Sequence, residues 1–234
     1  MGLSKKYNDF STTNYVKENF EVINTSKYPK GRHEAIVSMK SNGNNILDIG
    51  CNNGYMLYQF KDNYTNLIGL EYSSAQIERA HINLAGLNFL GLVGSPEDMP
   101  QIESNSIDRI ITADTIEHIP DVYAATEEMF RVLKPGGDLI INTPNIGFIK
   151  KRVLLMLGFF PSTSQPNEGI GDDSMFDGGH LHYFTYRSLK LVLERAGFQM
   201  VEKIAYGKFG FIQTIYPELL SSGLQWHAKK PENI

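Results

Sequence analysis

The sequence predicts an α/β fold built on a mostly parallel sheet, because short apolar segments alternate with segments of helical periodicity. Turns rich in Gly, Asn and Pro separate these segments. Strands that alternate with helices of this length pair in parallel through right-handed crossovers. With 234 residues, the chain is long enough for one α/β domain with additions and short for two independent domains.

Strands and helices can be placed in order along the chain. Residues 1–42 are predicted to form a helical cap, with its second helix at 32–40, and residues 43–234 the main domain. The first five strands are predicted at 45–49, 67–71, 88–93, 107–112 and 138–143, with helices at 54–61, from Ser73 or Ser74 onwards, and at 121–133. A helix at 185–196 follows, and two strands at 198–204 and 209–215 are expected to form an antiparallel C-terminal hairpin at the sheet edge.

Residues 145–184 interrupt this alternation. They are too long for a bare connection in a compact domain, so we expect an inserted lid there. Residues 153–160 are its most apolar part and directly follow Lys150, Lys151 and Arg152. This part is expected to be a core or dimer helix, and a helix on a membrane surface is the alternative.

The composition is that of a globular protein without a general nucleic-acid footprint. Hydrophobic residues make up 41% and charged residues 21% of the chain, and the net charge is −4. Cys51 is the sole cysteine, which excludes an internal disulfide and favours a reducing compartment. The first residues lack the apolar run of a secretory signal, and no apolar segment is long enough to span a bilayer. A cytoplasmic protein that is not inserted in a membrane is therefore expected.

A glycine turn between the first strand and its helix is the strongest sign of a ligand site. Asp48 lies at the end of the strand, and Gly50 and Gly54 follow in a turn where backbone N–H groups and small residues let a ligand approach. Glu71 ends the next strand, one βα unit downstream, where an acidic side chain would hold the hydroxyls of a ribose. The pattern predicts a pocket for an adenosine-containing cofactor.

The residues of the turn favour a cationic cofactor over a dinucleotide. A dinucleotide turn has a glycine at the middle position, where the pyrophosphate approaches, and this chain has Asn52 there. Asp48 would repel a pyrophosphate and attract the sulfonium and ammonium groups of S-adenosylmethionine. S-adenosylmethionine is therefore the predicted cofactor, and a nicotinamide-dependent dehydrogenase is the competing class.

The stretch from Asp48 to Gly54 resembles the first motif of class I S-adenosylmethionine-dependent methyltransferases, and the resemblance extends over residues 45–205. Segments similar to further parts of that family lie at 94–100, 112–119, 132–137 and 179–198. The resemblance implies a Rossmann-like, mostly parallel seven-stranded sheet with helices on both faces. Many relatives have an aspartate where this chain has Ser95, so the adenine contact is expected to pass to Glu97, Asp98 or the backbone.

The resemblance also implies which residues bind the cofactor. They are Asp48, Gly50, Cys51, Asn52, Gly54, Glu71, Tyr72, Ser95, Pro96, Glu97, Ala113, Asp114 and Thr115. Asp114 would lie near the methionine part of the cofactor or near the acceptor. Some relatives place an arginine at the position of Arg32, where it reaches the cofactor carboxylate, but we expect a solvated helix residue.

The predicted reaction moves a methyl group from S-adenosylmethionine to a small-molecule acceptor, with no nucleic-acid partner. A hydroxyl acceptor has to lose a proton, and a histidine is the natural base. His118, after the fourth strand, and His182, at the border of the lid, are the two candidates. An N-methyltransferase, a non-catalytic cofactor-binding module and a homodimer are alternatives that the sequence leaves open.

A metal site is a weaker alternative for the histidines that border the lid. His180 and His182 would share one face of an extended segment, and Asp172, Asp173 or Asp177 could complete a ligand set. No Cys–x–x–Cys or Glu–x–x–His pattern lies near them. We therefore expect no metal and expect these histidines to line the acceptor pocket.

Overall fold

A seven-stranded sheet forms the centre of the computed structural model, which describes residues 17–163, 179–208 and 210–232. Its strands are β1 (Gly43–Ile49), β2 (Tyr64–Glu71), β3 (Phe89–Val93), β4 (Ile107–Ala113), β5 (Leu133–Pro144), β6 (Gln199–Ile204) and β7 (Gly223–Lys229). They lie side by side in the order β3-β2-β1-β4-β5-β7-β6. β1 to β5 are parallel, and β7 is antiparallel to both of its neighbours. The predicted mostly parallel sheet with an antiparallel C-terminal pair is confirmed.

Helices cover both faces of this sheet. In the described residues they are α1 (Arg32–Val37), α2 (Tyr55–Gln59), α3 (Ser74–Asn83), α4 (Val122–Val132), α5 (Ile149–Met156), α6 (Tyr186–Arg195), α7 (Ile212–Ile215) and α8 (Pro217–Leu220). A one-turn 3₁₀ helix (Ile116–His118) follows β4. Buried side chains of α1, α2 and α3 join one apolar core, and those of α4 and α6 join a second.

Neighbouring residues of the central strands alternate between these two cores. Ile110 of β4 belongs to the core with α4 and α6, and Ile111 belongs to the core with α1 to α3. Ile141 and Ile140 of β5 divide in the same way. Successive side chains of a strand point to opposite faces, so strands buried on both faces read as continuous apolar runs. That is why these strands could be placed from the sequence.

The last strand lies downstream of its predicted position. Residues 212–215 form the helix α7, and their apolar side chains are exposed, with Ile215 at 70%. β7 instead carries Leu224, Trp226 and Ala228 at alternate positions, all buried in the core with α4 and α6. The indole N–H of Trp226 donates to the Tyr186 carbonyl at 3.0 Å. The prediction of a strand at 209–215 is therefore wrong over residues 210–215, and residue 209 lies outside the described residues. A run of apolar residues without alternation carries no information on its pairing.

Residues 17–31 contain no helix, although the sequence predicts a helical cap there. Residues 1–16 lie outside the described residues. Backbone amides of residues 17–31 bond to side chains of the domain instead, since Glu18 N donates to Asn83 Oδ1 and Ile23 N to Gln59 Oε1. The Glu18 carboxylate also accepts from Asn53 Nδ2 at 3.1 Å. This segment therefore runs beside the predicted cofactor turn.

The described part of the lid is an exposed helix and its continuation. No residue of α5 is buried, and Leu155, Met156 and Leu157 are each more than 60% exposed. The expectation of a core helix is therefore wrong for this part of the lid, and the dimer and membrane-surface alternatives stay open. Within the described ranges, no helix combines the length and the apolar character that crossing a membrane requires.

The helix α4 begins at an aspartate cap that offers a direct test of local stability. Asp121 Oδ1 accepts from the backbone N–H groups of Tyr123 and Ala124, each at 3.0 Å. We expect Asp121→Ala to lower the free energy of unfolding by about 1 kcal/mol, because two terminal amides lose their acceptor. Urea unfolding measures the change. Asp121→Asn keeps the acceptor and should stay near wild type, and an equal loss in both variants would contradict the cap.

Candidate active site

The predicted site residues gather at the carboxyl edge of the parallel strands. β1 lies between β2 and β4, so the chain crosses from one side of β1 to the other between β3 and β4. In open α/β sheets, ligands bind outside the strand ends at such a switch point. Residues 50–54 follow β1, Glu71 ends β2, residues 95–97 follow β3, and Asp114 follows β4.

The turn after β1 has Asn52 where the methyltransferases that the sequence resembles commonly have a glycine, and its backbone still takes left-handed conformations. Gly50, Asn52 and Gly54 have φ values of 78°, 47° and 86°. Asparagine is one of the few side chains that tolerate this left-handed region, so Asn52 can replace glycine there. A Cβ at position 50 would overlap with Thr115 Oγ1 from the segment after β4. Gly50 thus lets the turns after β1 and β4 pack together.

Gly54 and Cys51 have packing roles in the structure. A Cβ at Gly54 would lie 2.8 Å from Leu84 Cδ1, so this glycine lets the start of α2 approach the end of α3. Cys51 is 3% exposed, and burial together with the nearby Asp48 and Glu71 carboxylates raises the pKa of its thiol well above the usual value. A thiol that stays protonated is a poor nucleophile, so Cys51 serves as a small buried residue.

The Glu71 carboxylate is held in place by three backbone amides. Its Oε2 accepts from Asn52 N at 3.1 Å, and its Oε1 accepts from Tyr72 N at 2.8 Å and Ser73 N at 3.1 Å. Tyr72 itself is 70% exposed beside it. A carboxylate offers about four acceptor positions, so Oε2 keeps one for a ribose hydroxyl. The arrangement orients Glu71 as a ribose acceptor requires.

Asp48 is a buried carboxyl next to a second acid. It is 3% exposed, and burial together with the Glu71 charge raises the pKa of Asp48 to about 8. A cation at this place would favour the ionised form, whereas a pyrophosphate would add to the repulsion. The two carboxylates therefore fit a cationic cofactor such as S-adenosylmethionine and not a dinucleotide.

The protonation of Asp48 predicts that cofactor binding releases a proton. Near pH 7 the raised pKa leaves Asp48 mostly protonated, and the positive charges of S-adenosylmethionine would lower that pKa. We expect release of up to about one proton on binding, with an affinity that increases as the pH rises from 6 to 8. Calorimetric titrations in buffers of different ionisation enthalpy measure the release. Asp48→Asn should remove this contribution, and equal proton release in variant and wild type would contradict it.

The segment after β3 is fastened to the start of α4. Glu97 Oε2 accepts from Ser95 Oγ at 2.8 Å, and Glu97 Oε1 accepts from Asp121 N at 2.7 Å. Both carboxylate oxygens thus hold the segment that contains Pro96. This places Ser95, Pro96 and Glu97 together at the strand edge, and Asp98 N is tied to Ser95 O at 3.3 Å. Because both Glu97 carboxylate oxygens already accept hydrogen bonds within the protein, Asp98 and the backbone are the better candidates for an adenine contact.

The segment after β4 brings an acid and an arginine to the same edge. Asp114 has a φ of 48°, and its N–H donates to the Asn142 carbonyl of β5. The preceding Ala113 ends β4. The Asp114 carboxylate forms an ion pair with Arg32, the first residue of α1. Arg32 is half-exposed, as expected, but it holds Asp114 rather than standing alone in solvent.

A buried glutamate and two histidines meet beside Asp114. Glu117 is 1% exposed, and burial together with the Asp114 charge raises its pKa to about 8. The ring centroids of His118 and His180 lie 4.6 Å apart.

His182 is not part of this histidine pair, and its Nε2 lies 3.3 Å from the Pro120 carbonyl oxygen. His180 therefore pairs with His118 and not with His182, and Asp172, Asp173 and Asp177 lie outside the described residues.

The chain matches known proteins over most of its length. Residues 21–203 match the family model described as a methyltransferase domain. The chain is 27% identical over 176 residues to a probable S-adenosylmethionine-dependent methyltransferase of Mycolicibacterium smegmatis, covering 74% of this chain and 60% of the relative. It is 27% identical over 105 residues to a ubiquinone biosynthesis O-methyltransferase of Hahella chejuensis, covering 44% of each protein. The chain thus spans about half the length of these curated relatives.

Solved structures share the fold. A crystal structure of an S-adenosylmethionine-dependent methyltransferase from Mesorhizobium loti superposes with a TM-score of 0.64 at 17% identity. The match covers 85% of this chain and 98% of that one. The family model, the strand order and the carboxylates at the strand edge agree with one another. The chain belongs to the class I S-adenosylmethionine-dependent methyltransferases, a family whose cofactor is S-adenosylmethionine.

Proposed function

We propose that this protein transfers a methyl group from S-adenosylmethionine to a hydroxyl oxygen of a small molecule. The observation that carries the proposal is the placement of two carboxylates, Asp48 and Glu71, and a histidine, His118, at the ends of neighbouring strands. The carboxylates suit the cationic cofactor, and the histidine suits an acceptor that has to lose a proton. The O-methyltransferase of Hahella chejuensis is a relative whose name includes transfer to oxygen.

The protein's contribution to this reaction is binding and alignment. When bound, S-adenosylmethionine supplies an already activated methyl group, so the protein has to align the acceptor and exclude water. Glu71 would hold the ribose, and Asp48 would favour the positive end of the cofactor. The ion pair of Arg32 with Asp114 would hold the segment after β4, which leads to Glu117 and His118.

His118 is the better candidate for the base. Its Nδ1 lies 3.2 Å from the Gly179 carbonyl oxygen, which can only accept a hydrogen bond. Nδ1 therefore carries the proton, and the lone pair of Nε2 can accept one from a hydroxyl. In His182 the Nε2 faces the Pro120 carbonyl oxygen, so its acceptor nitrogen would be Nδ1. His118 is preferred because it lies in the 3₁₀ helix that follows the strand edge of β4. We retain His182 as the second candidate, because it borders the same region of the lid.

Transfer of radiolabelled methyl from S-adenosylmethionine to pooled acceptors tests the proposal. The pools are phenols and catechols, sugar alcohols, and primary amines. We expect label in methyl ethers formed from a hydroxyl pool. Label only in the amine pool would favour the N-methyltransferase alternative. No label in any pool, from a protein that binds the cofactor, would support the non-catalytic module. The cytoplasmic location and a homodimer stay predictions.

A further inference from the structure

The loop at residues 179–182 is attached to the 3₁₀ helix after β4 by the backbone of one residue. The carbonyl oxygen of Glu117 accepts from Leu181 N at 2.8 Å and from His182 N at 3.1 Å. These bonds place His180 beside His118. One ligand atom each from Glu117, His118 and His180 then lies within 4.8 Å of the other two.

We propose that Glu117, His118 and His180 bind a divalent transition-metal ion. Two imidazoles and one carboxylate form a ligand set that suits Zn²⁺ and the neighbouring first-row metals rather than Mg²⁺ or Ca²⁺, which prefer oxygen ligands alone. Three protein ligands leave open coordination positions, as in catalytic rather than structural metal sites.

The buried glutamate is the first observation that supports a cation. Glu117 Oε2 accepts from Thr143 Oγ1 at 2.8 Å, and Glu117 Oε1 is buried without a hydrogen-bond partner among the residues that the structure describes. A buried carboxylate oxygen without a partner is costly, and a metal ion would satisfy it. The Thr143 contact orients the carboxylate, in the way that supporting groups orient metal ligands.

The orientation of the histidine rings is the second observation. Metal-binding histidines usually engage their other ring nitrogen with a carbonyl or another polar group. The Nδ1–H of His118 can donate to the Gly179 carbonyl, which leaves the Nε2 lone pair available as a ligand. His180 Nδ1 lies 2.6 Å from Thr163 Oγ1, so the second ring is also fixed by a neighbour. Each of the three ligands therefore has a supporting contact.

The metal would change how the acceptor is bound. An acceptor oxygen could occupy an open coordination position, and His118 would then act as a ligand and not as the base. This consequence rests on the proposed function, because it requires an oxygen acceptor at this edge. Metal binding itself does not depend on it and can be measured without cofactor or acceptor.

A titration of the chelator-treated protein with Co²⁺, followed by visible absorption, tests the metal site. We expect one Co²⁺ to bind per chain, Zn²⁺ to displace it, and Mg²⁺ and Ca²⁺ to leave the spectrum unchanged. His180→Gln and Glu117→Gln should each weaken binding by at least about tenfold, since even the loss of a supporting contact costs that much. His182→Gln, two residues away on the same loop, should bind Co²⁺ as the wild type does.

Thermal unfolding and binding of S-adenosylhomocysteine show whether each variant is folded. Absence of Co²⁺ and Zn²⁺ binding in the folded wild type would overturn the proposal. Unchanged binding in both His180→Gln and Glu117→Gln, or an equal loss in His182→Gln, would overturn this ligand set. Methyl transfer is not part of this measurement, so a failure here is distinct from a failure of the proposed reaction.

Discussion

Replacing Glu71 by alanine is expected to weaken the binding of S-adenosylhomocysteine by about 10- to 150-fold. The carboxylate has an acceptor position left on Oε2 for a ribose hydroxyl, and a hydrogen bond to a charged group contributes about 1.5–3 kcal/mol. A free energy of 1.4 kcal/mol corresponds to about a tenfold change in affinity. S-adenosylhomocysteine carries the same ribose as the cofactor and is not consumed, so isothermal calorimetry can measure the change.

Two control variants separate this contact from a general loss of structure. Glu71→Gln keeps one acceptor oxygen, which can serve the amides of Tyr72 and Ser73 or that of Asn52 but not both sides, and it removes the charge. An affinity between those of the wild type and Glu71→Ala is therefore expected. Glu78→Ala removes an exposed acid from α3 and should leave the affinity unchanged. Wild-type affinity in a folded Glu71→Ala protein would contradict the assignment of Glu71 to the ribose.

In the chelator-treated, metal-free protein, replacing His118 by glutamine is expected to reduce kcat by about 10²-fold or more, the usual contribution of a general base. Binding of S-adenosylhomocysteine should stay near wild type, because the proposed function assigns His118 to the acceptor and not to the cofactor. Glutamine keeps a polar side chain of moderate size but cannot accept a proton near neutral pH. A reduced kcat with unchanged affinity for S-adenosylhomocysteine would indicate the loss of a reacting group, whereas a loss of both would indicate damage to the cofactor pocket.

His182→Gln is the matched comparison for this prediction. It lies on the neighbouring loop, and its Nε2 is directed at Pro120. We expect the larger loss of kcat in His118→Gln. A larger loss in His182→Gln would exchange the two roles, and unchanged kcat in both variants would contradict a histidine base and favour alignment alone or a neutral amine acceptor.

Much of the fold, and the gathering of the proposed cofactor residues at one strand edge, could be predicted because their signals are local in sequence. Strands such as β4 are buried on both faces and read as apolar runs. Asp48, Gly50, Gly54 and Glu71 sit at the ends of two consecutive strands, so spacing alone brings them together. The position of β7 could not be predicted in this way. It pairs with β5 and β6, which lie earlier in the chain, and such long-range pairing leaves no local signal in the sequence.

The cluster of Glu117, His118 and His180 depends on contacts between distant residues. The sequence alone does not single out Glu117, although it stands beside His118, because its burial follows from packing near Thr143. His180 reaches His118 only through the backbone bonds from residues 181 and 182 to Glu117. A periodicity argument paired His180 with His182, since it treats the segment as a regular strand.

The most direct test of this account is a calorimetric comparison of S-adenosylhomocysteine with NAD on the wild-type protein. Both ligands contain an adenosine that Glu71 could hold, so they differ at the turn formed by residues 50–54. We predict binding of S-adenosylhomocysteine at one site and no measurable binding of NAD, because Asp48 and Asn52 disfavour a pyrophosphate. Tighter binding of NAD than of S-adenosylhomocysteine would contradict the cofactor site described here.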